Sequence, residues 1–127
     1  MKSALPVLLL AGCTPAFDPM PTLNGYAEVT EIGGELSAYL SETALESALQ
    51  TEQLKQSLGL TQVGRASFEL ESVSESSVSG CLDLGSVLVL DASGAPLETD
   101  RQNRLLFQAV FDSAGKISQF DVSEEPC

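Results

Sequence analysis

The chain has no histidine, only six Lys and Arg together, and no N-terminal apolar run long enough to cross a bilayer. Each lack closes a class of function. Without His the usual general base and the commonest zinc ligand are missing, which leaves carboxylates, two Tyr and three Cys as the titratable groups. Six basic residues against 18 acidic ones give a net charge of -12 and a pI near 4.1. Phosphate backbones and anionic headgroups repel such a surface, so nucleic-acid binding is excluded. The apolar run from Ala4 to Gly12 is less than half of the about 20 residues a transmembrane helix needs. What is present suffices for one core: 127 residues, 43% of them apolar, with a mean hydropathy of +0.13, fit a single globular domain and argue against disorder throughout.

Met1 and Lys2 make a minimal positive start, Ala4-Leu5-Pro6-Val7-Leu8-Leu9-Leu10 an apolar stretch, and Ala11 and Gly12 a small-residue end. This is the layout of an export signal over residues 1–12. Leu10-Ala11-Gly12-Cys13 matches the bacterial lipobox in all four positions, and the chain resembles a bacterial lipoprotein. The resemblance implies cleavage after Gly12, diacylglycerol on the sulfur of Cys13 and an acylated new amino terminus, with palmitate-like chains. At roughly 0.8 kcal/mol per buried methylene, two or three such chains hold a protein on a membrane almost irreversibly. The implied location is the bacterial cell envelope. Thr14, where an Asp would signal inner-membrane retention, points to the outer membrane facing the periplasm in a two-membrane source, and otherwise to the outer face of the plasma membrane. A buried N-terminal strand with a free Cys is the competing reading of these residues.

If Cys13 is lipidated, Cys81 and Cys127 remain, and an oxidising compartment would join them in one disulfide. Such a bond closes a loop of 46 residue steps, for which chain entropy gives about 4 kcal/mol. Two buried unpaired thiols are the alternative. Metal ligation by the pair lacks both the spacing and the further ligands it would need.

Residues 14–24 hold three prolines and show neither helical nor strand period, so residues 13–25 are expected to be a lipidated Cys and an extended tether. At roughly 3.1 Å per residue this tether would reach about 30 Å. Phe17 and Met20 would hang free, dock on the domain or dip into the membrane interface. Residues 26–127 are expected to form one domain, in which the state of Tyr26 to Ile32 is left open. From Glu35 to Leu58 the pairs Leu36/Leu40, Leu45/Leu49 and Leu54/Leu58 recur at four-residue spacing and predict helix. Ser41 and Thr43 with Glu46, and Thr51 before Glu52, read as N-caps, so two or three short helices are expected, the last closed by Gly59. Beyond Val63 the period changes to two. Strands are expected over Arg65 to Val73, Val78 to Leu90, Glu98 to Phe111 and Lys116 to Ser123. The turns between them are Ser74 to Ser77, Asp91-Ala92-Ser93-Gly94 and Asp112-Ser113-Ala114-Gly115. Leu105, Phe107, Ala109 and Phe111 share one face with Phe68, Leu70, Phe120 and Val122. The expected fold class is α+β, with N-terminal short helices packed on one face of a four-stranded antiparallel meander sheet.

Helices followed by such a meander, with Gly80-Cys81-Leu82-Asp83 set against Cys127, resemble small secreted proteins of the NTF2-like, or cystatin-like, α+β type. The resemblance implies a disulfide from the Gly-Cys-x-Asp strand to the C-terminal end. That fold hosts isomerases, hydratases, transport factors and non-catalytic accessory domains, so no activity follows from it. Its enzymes bury an acid or His between sheet and helices. Here the inward positions are Leu, Phe and Val, Asp83 alternates with Leu82 and Leu84 and faces away, and Arg101 and Arg104 lie near the start of the third strand. No catalytic residue, cofactor or metal is expected. Glu35, Glu42 and Glu46 read as a solvated face that would otherwise take a cation. The two Asp-x-x-Gly segments lack the alternation of a calcium loop, and Ser72 to Ser79 is a polar hairpin connection. The expected function is a non-catalytic binding or accessory domain, anchored to the membrane by lipid, with another envelope protein as partner. The alternative is a small-ligand carrier or enzyme that uses the cavity between helices and sheet.

Overall fold

The computed structural model describes residues 17–97 and 102–127. Leu10, Ala11, Gly12, Cys13 and Thr14 lie outside them, as do Glu98 and Arg101. The elements in chain order are α1 (Met20–Ile32), a 3-10 turn (Leu36–Ala38), α2 (Glu42–Leu58), β1 (Thr61–Val63), β2 (Ser67–Val73), β3 (Ser77–Asp83), β4 (Leu88–Leu90), β5 (Arg104–Phe111) and β6 (Ile117–Pro126). Strands β2-β3-β5-β6 lie side by side in a four-stranded antiparallel sheet, and β1 pairs with β4 in a separate antiparallel ribbon. The fold is α+β. Val78, Leu82, Phe107 and Ala109 share one face of the sheet by register and are buried there with Phe111 and Ile117. Leu23, Leu36, Leu40 and Ala44 cover them from the helical layer.

Residues 17–24 do not form the extended tether expected of them. A helix starts at Met20, with Pro19 at its N-cap and Pro21 in its first turn. Those are positions where a missing N–H breaks no intrahelical bond and a fixed φ suits the helix. Asp18 Oδ1 accepts the Met20 N–H at 3.2 Å. Leu23 is fully buried and Ala27 nearly so, while Tyr26 and Val29 pack beside them. Burying a leucine side chain contributes about 2 kcal/mol, enough to draw a turn-like composition into a packed helix. Tyr26 to Ile32 belongs to the same helix.

The 3-10 turn buries Leu36, and Leu40 follows it into the core. The chain there runs along the edge of β6: Ile117 N–H bonds the Tyr39 carbonyl and Ser41 N–H bonds the Ile117 carbonyl, both at 2.8 Å. α2 then continues without the break expected at Thr51. The Thr51 hydroxyl donates to the Ser47 carbonyl at 3.1 Å, so it stays inside the helix instead of capping a new one. The expected capping box is also absent, because Ser41 Oγ donates to Asp112 Oδ2 and Thr43 Oγ1 to the Ser118 carbonyl. Gly59 closes α2 as expected, in the left-handed conformation at φ 69°. Only the first half of the helix covers the sheet. Leu49, Leu54 and Leu58 are 47%, 58% and 56% exposed, against the burial their spacing predicts.

The run Val78 to Leu90, expected as one strand, belongs to two sheets. Asp83 Oδ1 accepts the Gly85 N–H at 2.8 Å and Val87 N–H bonds the Leu84 carbonyl at 3.0 Å. That turn releases Leu88–Leu90 to pair with β1. β2 begins at Ser67, two residues after Arg65, and β6 runs beyond Ser123 to Pro126. β5 begins at Arg104, and the part of the expected strand over 98–101 lies outside the described residues. Phe68, Leu70 and Phe120 are half-buried against the core, as Leu105 is at its margin. Val122, expected inside, is 43% exposed.

Candidate functional site

Cys81 sits in β3 on the outer face of the sheet, alternating with the inward Gly80 and Leu82. Cys127 follows the last residue of β6. The two are joined in a disulfide with their Cα atoms 5.9 Å apart. Since β5 lies between β3 and β6, the bond straddles β5 and fastens the outermost strand to the strand beyond its neighbour. Cys81 is 1% exposed. Arg104 lies over it, donating from Nε to Cys81 Sγ at 3.3 Å and from an Nη to Glu69 Oε1 at 3.0 Å. Gly80 is required beside it, because a Cβ there would overlap the Glu69 carbonyl where β2 crowds β3 at a register shift. Asp83 shares the outer face with Cys81, as the alternation predicts.

The space between helices and sheet is filled by rings. Phe68 meets Phe107 at 5.1 Å and Phe120 at 6.1 Å between centroids, Phe107 meets Phe120 at 5.8 Å, and Tyr26 meets Phe120 at 5.4 Å. Two small cavities remain on either side of Tyr26. One, about 130 Å³, lies beneath α1 against Phe68, Leu82, Leu84 and Gln62. The other, about 120 Å³, lies between α1 and α2 beside Leu36, Ala44 and Glu52. Both fall well short of the roughly 300–1,000 Å³ of an ordinary small-molecule site. Two of the polar side chains that line them are already bonded: Thr30 Oγ1 donates to the Tyr26 carbonyl at 2.8 Å and Gln62 Nε2 to the Gly64 carbonyl at 2.9 Å. Burial, then the nearby Glu52 carboxylate, pushes the Tyr26 phenol above its ordinary pKa and keeps it neutral. Among the described residues no polar or charged side chain is fully buried.

A third constellation gathers at the β5–β6 turn, which the sequence marks only as a turn. Asp112 Oδ1 accepts the Ala114 and Lys116 N–H groups, each at 2.9 Å, while Oδ2 accepts the Ser41 hydroxyl at 2.6 Å. These bonds, the Ser41 hydroxyl foremost, hold the Asp112 carboxyl below the ordinary carboxylate range. Thr22 Oγ1 of α1 donates to the Gly115 carbonyl at 3.4 Å. Phe17 packs edge-on against Phe111, the last residue of β5, with centroids 5.0 Å apart. The N-terminal described segment, the first turn of α1 and the start of α2 thus converge on one end of the sheet. The β2–β3 turn lies at the same end, with Phe111 N–H bonded to the Ser76 carbonyl at 2.7 Å. The opposite end carries Asp83 paired with Arg104 and Leu105 paired with Pro126.

Glu35, Glu42 and Glu46 are exposed and do not lie along one helix, since Glu35 precedes the 3-10 turn. The Asp91 turn is built as expected. Asp91 Oδ1 accepts from the Ser93 hydroxyl at 2.6 Å and the Ser93 and Ala95 N–H groups at 2.9 and 3.0 Å, which lowers its carboxyl pKa. No helix among the described residues is long and apolar enough to cross a membrane. Compared with protein-family models, curated proteins and solved structures, the chain matches none.

Proposed function

We propose that this chain is a bacterial envelope lipoprotein, held on the membrane through lipid on Cys13, whose globular part binds another envelope protein without catalysing a reaction. Leu10-Ala11-Gly12-Cys13 carries the proposal. The Cys81–Cys127 bond supports it, because structural disulfides belong to oxidising compartments and this one leaves Cys13 as the single remaining thiol. The helical layer on one face of a four-stranded antiparallel sheet, tied from its Gly-Cys-x-Asp strand to Cys127, supports an NTF2-like or cystatin-like fold. Aromatic rings occupy the space where enzymes and carriers of that fold would hold a ligand, which favours binding through the surface over the cavity alternative. Exposed Leu54, Leu58, Val63 and Leu88, at 58%, 56%, 49% and 43%, offer apolar contact area to a protein partner.

Confinement to a membrane raises the concentration at which two envelope proteins meet without any new contact between them. Anchoring is therefore the part of the function that one residue controls. In cell fractionation, wild-type protein is expected with the membranes and released only by detergent, while Cys13→Ala leaves the membrane fraction or accumulates uncut. A Cys13→Ala protein that is cut after Gly12 and still fractionates as wild type does would overturn the proposal.

A further inference from the structure

Resting on lipid at Cys13, we infer that the domain presents one fixed end to the lipid headgroups: the end formed by Phe17, the β2–β3 turn and the β5–β6 turn. An extended tether over residues 14–24 would let the domain turn freely some 30 Å away, at roughly 3.1 Å per residue. The structure removes most of that length. Phe17 is seated on Phe111 and Thr22 is bonded to Gly115, so any leash from Cys13 ends at Phe17. Four residue steps reach at most about 14 Å. The headgroup layer on one side of a bilayer takes up roughly 5–8 Å of this. Phe17 is then left within about one side-chain length of the membrane surface.

β5 alone, with eight residues, runs roughly 26 Å at about 3.3 Å per residue. The leash is shorter than the sheet, so the turns at Ser74–Ser77 and Asp112–Gly115 stay at the membrane while Arg104, Cys127 and the β1–β4 ribbon stand away from it. Charge fixes which lipid suits this end. Asp18, Glu75 and Asp112 outnumber Lys116 there, so the surface meets zwitterionic headgroups more readily than anionic ones. The arrangement also frees the exposed apolar residues near the end of α2 and on β1 and β4 for a partner in the aqueous space.

The chain has no tryptophan, so one introduced Trp is a unique emitter. The full lipidated protein is reconstituted in phosphatidylcholine vesicles containing a headgroup-nitroxide lipid, with Ser113→Trp or Glu75→Trp reporting the near end and Asn103→Trp the far end. All three positions are exposed. Both near-end emitters are expected to be quenched several-fold more than the far-end one. Lengthening the leash by about ten Gly-Ser residues between Ala16 and Phe17 is expected to abolish the difference. Equal quenching at both ends, in protein that carries its acyl mass and sediments with the vesicles, overturns the orientation and leaves the lipoprotein reading intact. Protein without acyl mass that does not sediment removes both.

Discussion

Cys127 and Asp112 show how single residues hold this fold at its two ends. The disulfide closes a loop with a sequence separation of 46, worth up to about 4 kcal/mol by restriction of the unfolded chain. Cys127→Ser is therefore expected to lower the unfolding free energy toward that limit in urea titrations. Reductant should shift the wild-type midpoint and leave that of the variant unchanged. Asp112 acts by hydrogen bonding. Its carboxylate is favoured in the folded state, so its contribution to stability is complete above the ordinary carboxylate pKa of 3.8 and is lost as pH falls from there toward the lower folded value. Asp112→Asn is expected to flatten the acid side of a plot of Tm against pH. It should not abolish the slope, because Asp91 is held low in the same manner. An acid limb as steep in Asp112→Asn as in wild type would contradict this assignment.

Among the elements, α1 is the one whose packing decides where the N-terminal segment goes. Leu23 is its only fully buried large side chain, and Leu23→Ala is expected to cost about 3 kcal/mol in urea unfolding, a cavity-forming loss. This helix was illegible in the sequence because Pro19, Pro21, Asn24 and Gly25 read as loop, and the pattern does not say that the prolines fall where a helix tolerates them. The sheet was legible. Period-two alternation with the Ser74–Ser77 and Asp112–Gly115 turns placed β2, β3, β5 and β6 and their antiparallel order, since turn chemistry is local, whereas the Asp91–Gly94 turn follows the ribbon strand β4. Two boundaries were not. Leu82, Leu84, Leu88 and Leu90 keep the two-residue phase across a turn that depends on the Asp83 carboxylate capping Gly85. Thr51 imitates an N-cap while bonding back to Ser47. The exposed Leu49, Leu54 and Leu58 likewise carry a helical period that only the width of the sheet could show to be half unused.

For the molecule as a whole, the sequence and the fold speak to different parts of the same proposal. The disulfide was foreseen by counting cysteines around Cys13, and its geometry across β5 could come only from the register. Docking of Phe17 on the domain is one of the alternatives the sequence leaves open, and no local pattern decides among them, because the contact with Phe111 is made over a long stretch of chain. Lipid on Cys13 is the claim on which location, partner and orientation depend. The direct measurement is the intact mass of the protein from its native membrane fraction, with alkylation before and after reduction. The expected result is residues 13–127 plus acyl-glyceryl groups, with two alkylatable thiols appearing only after reduction. A mass that retains Met1 or Lys2, carries no lipid and shows three free thiols without reduction would contradict it.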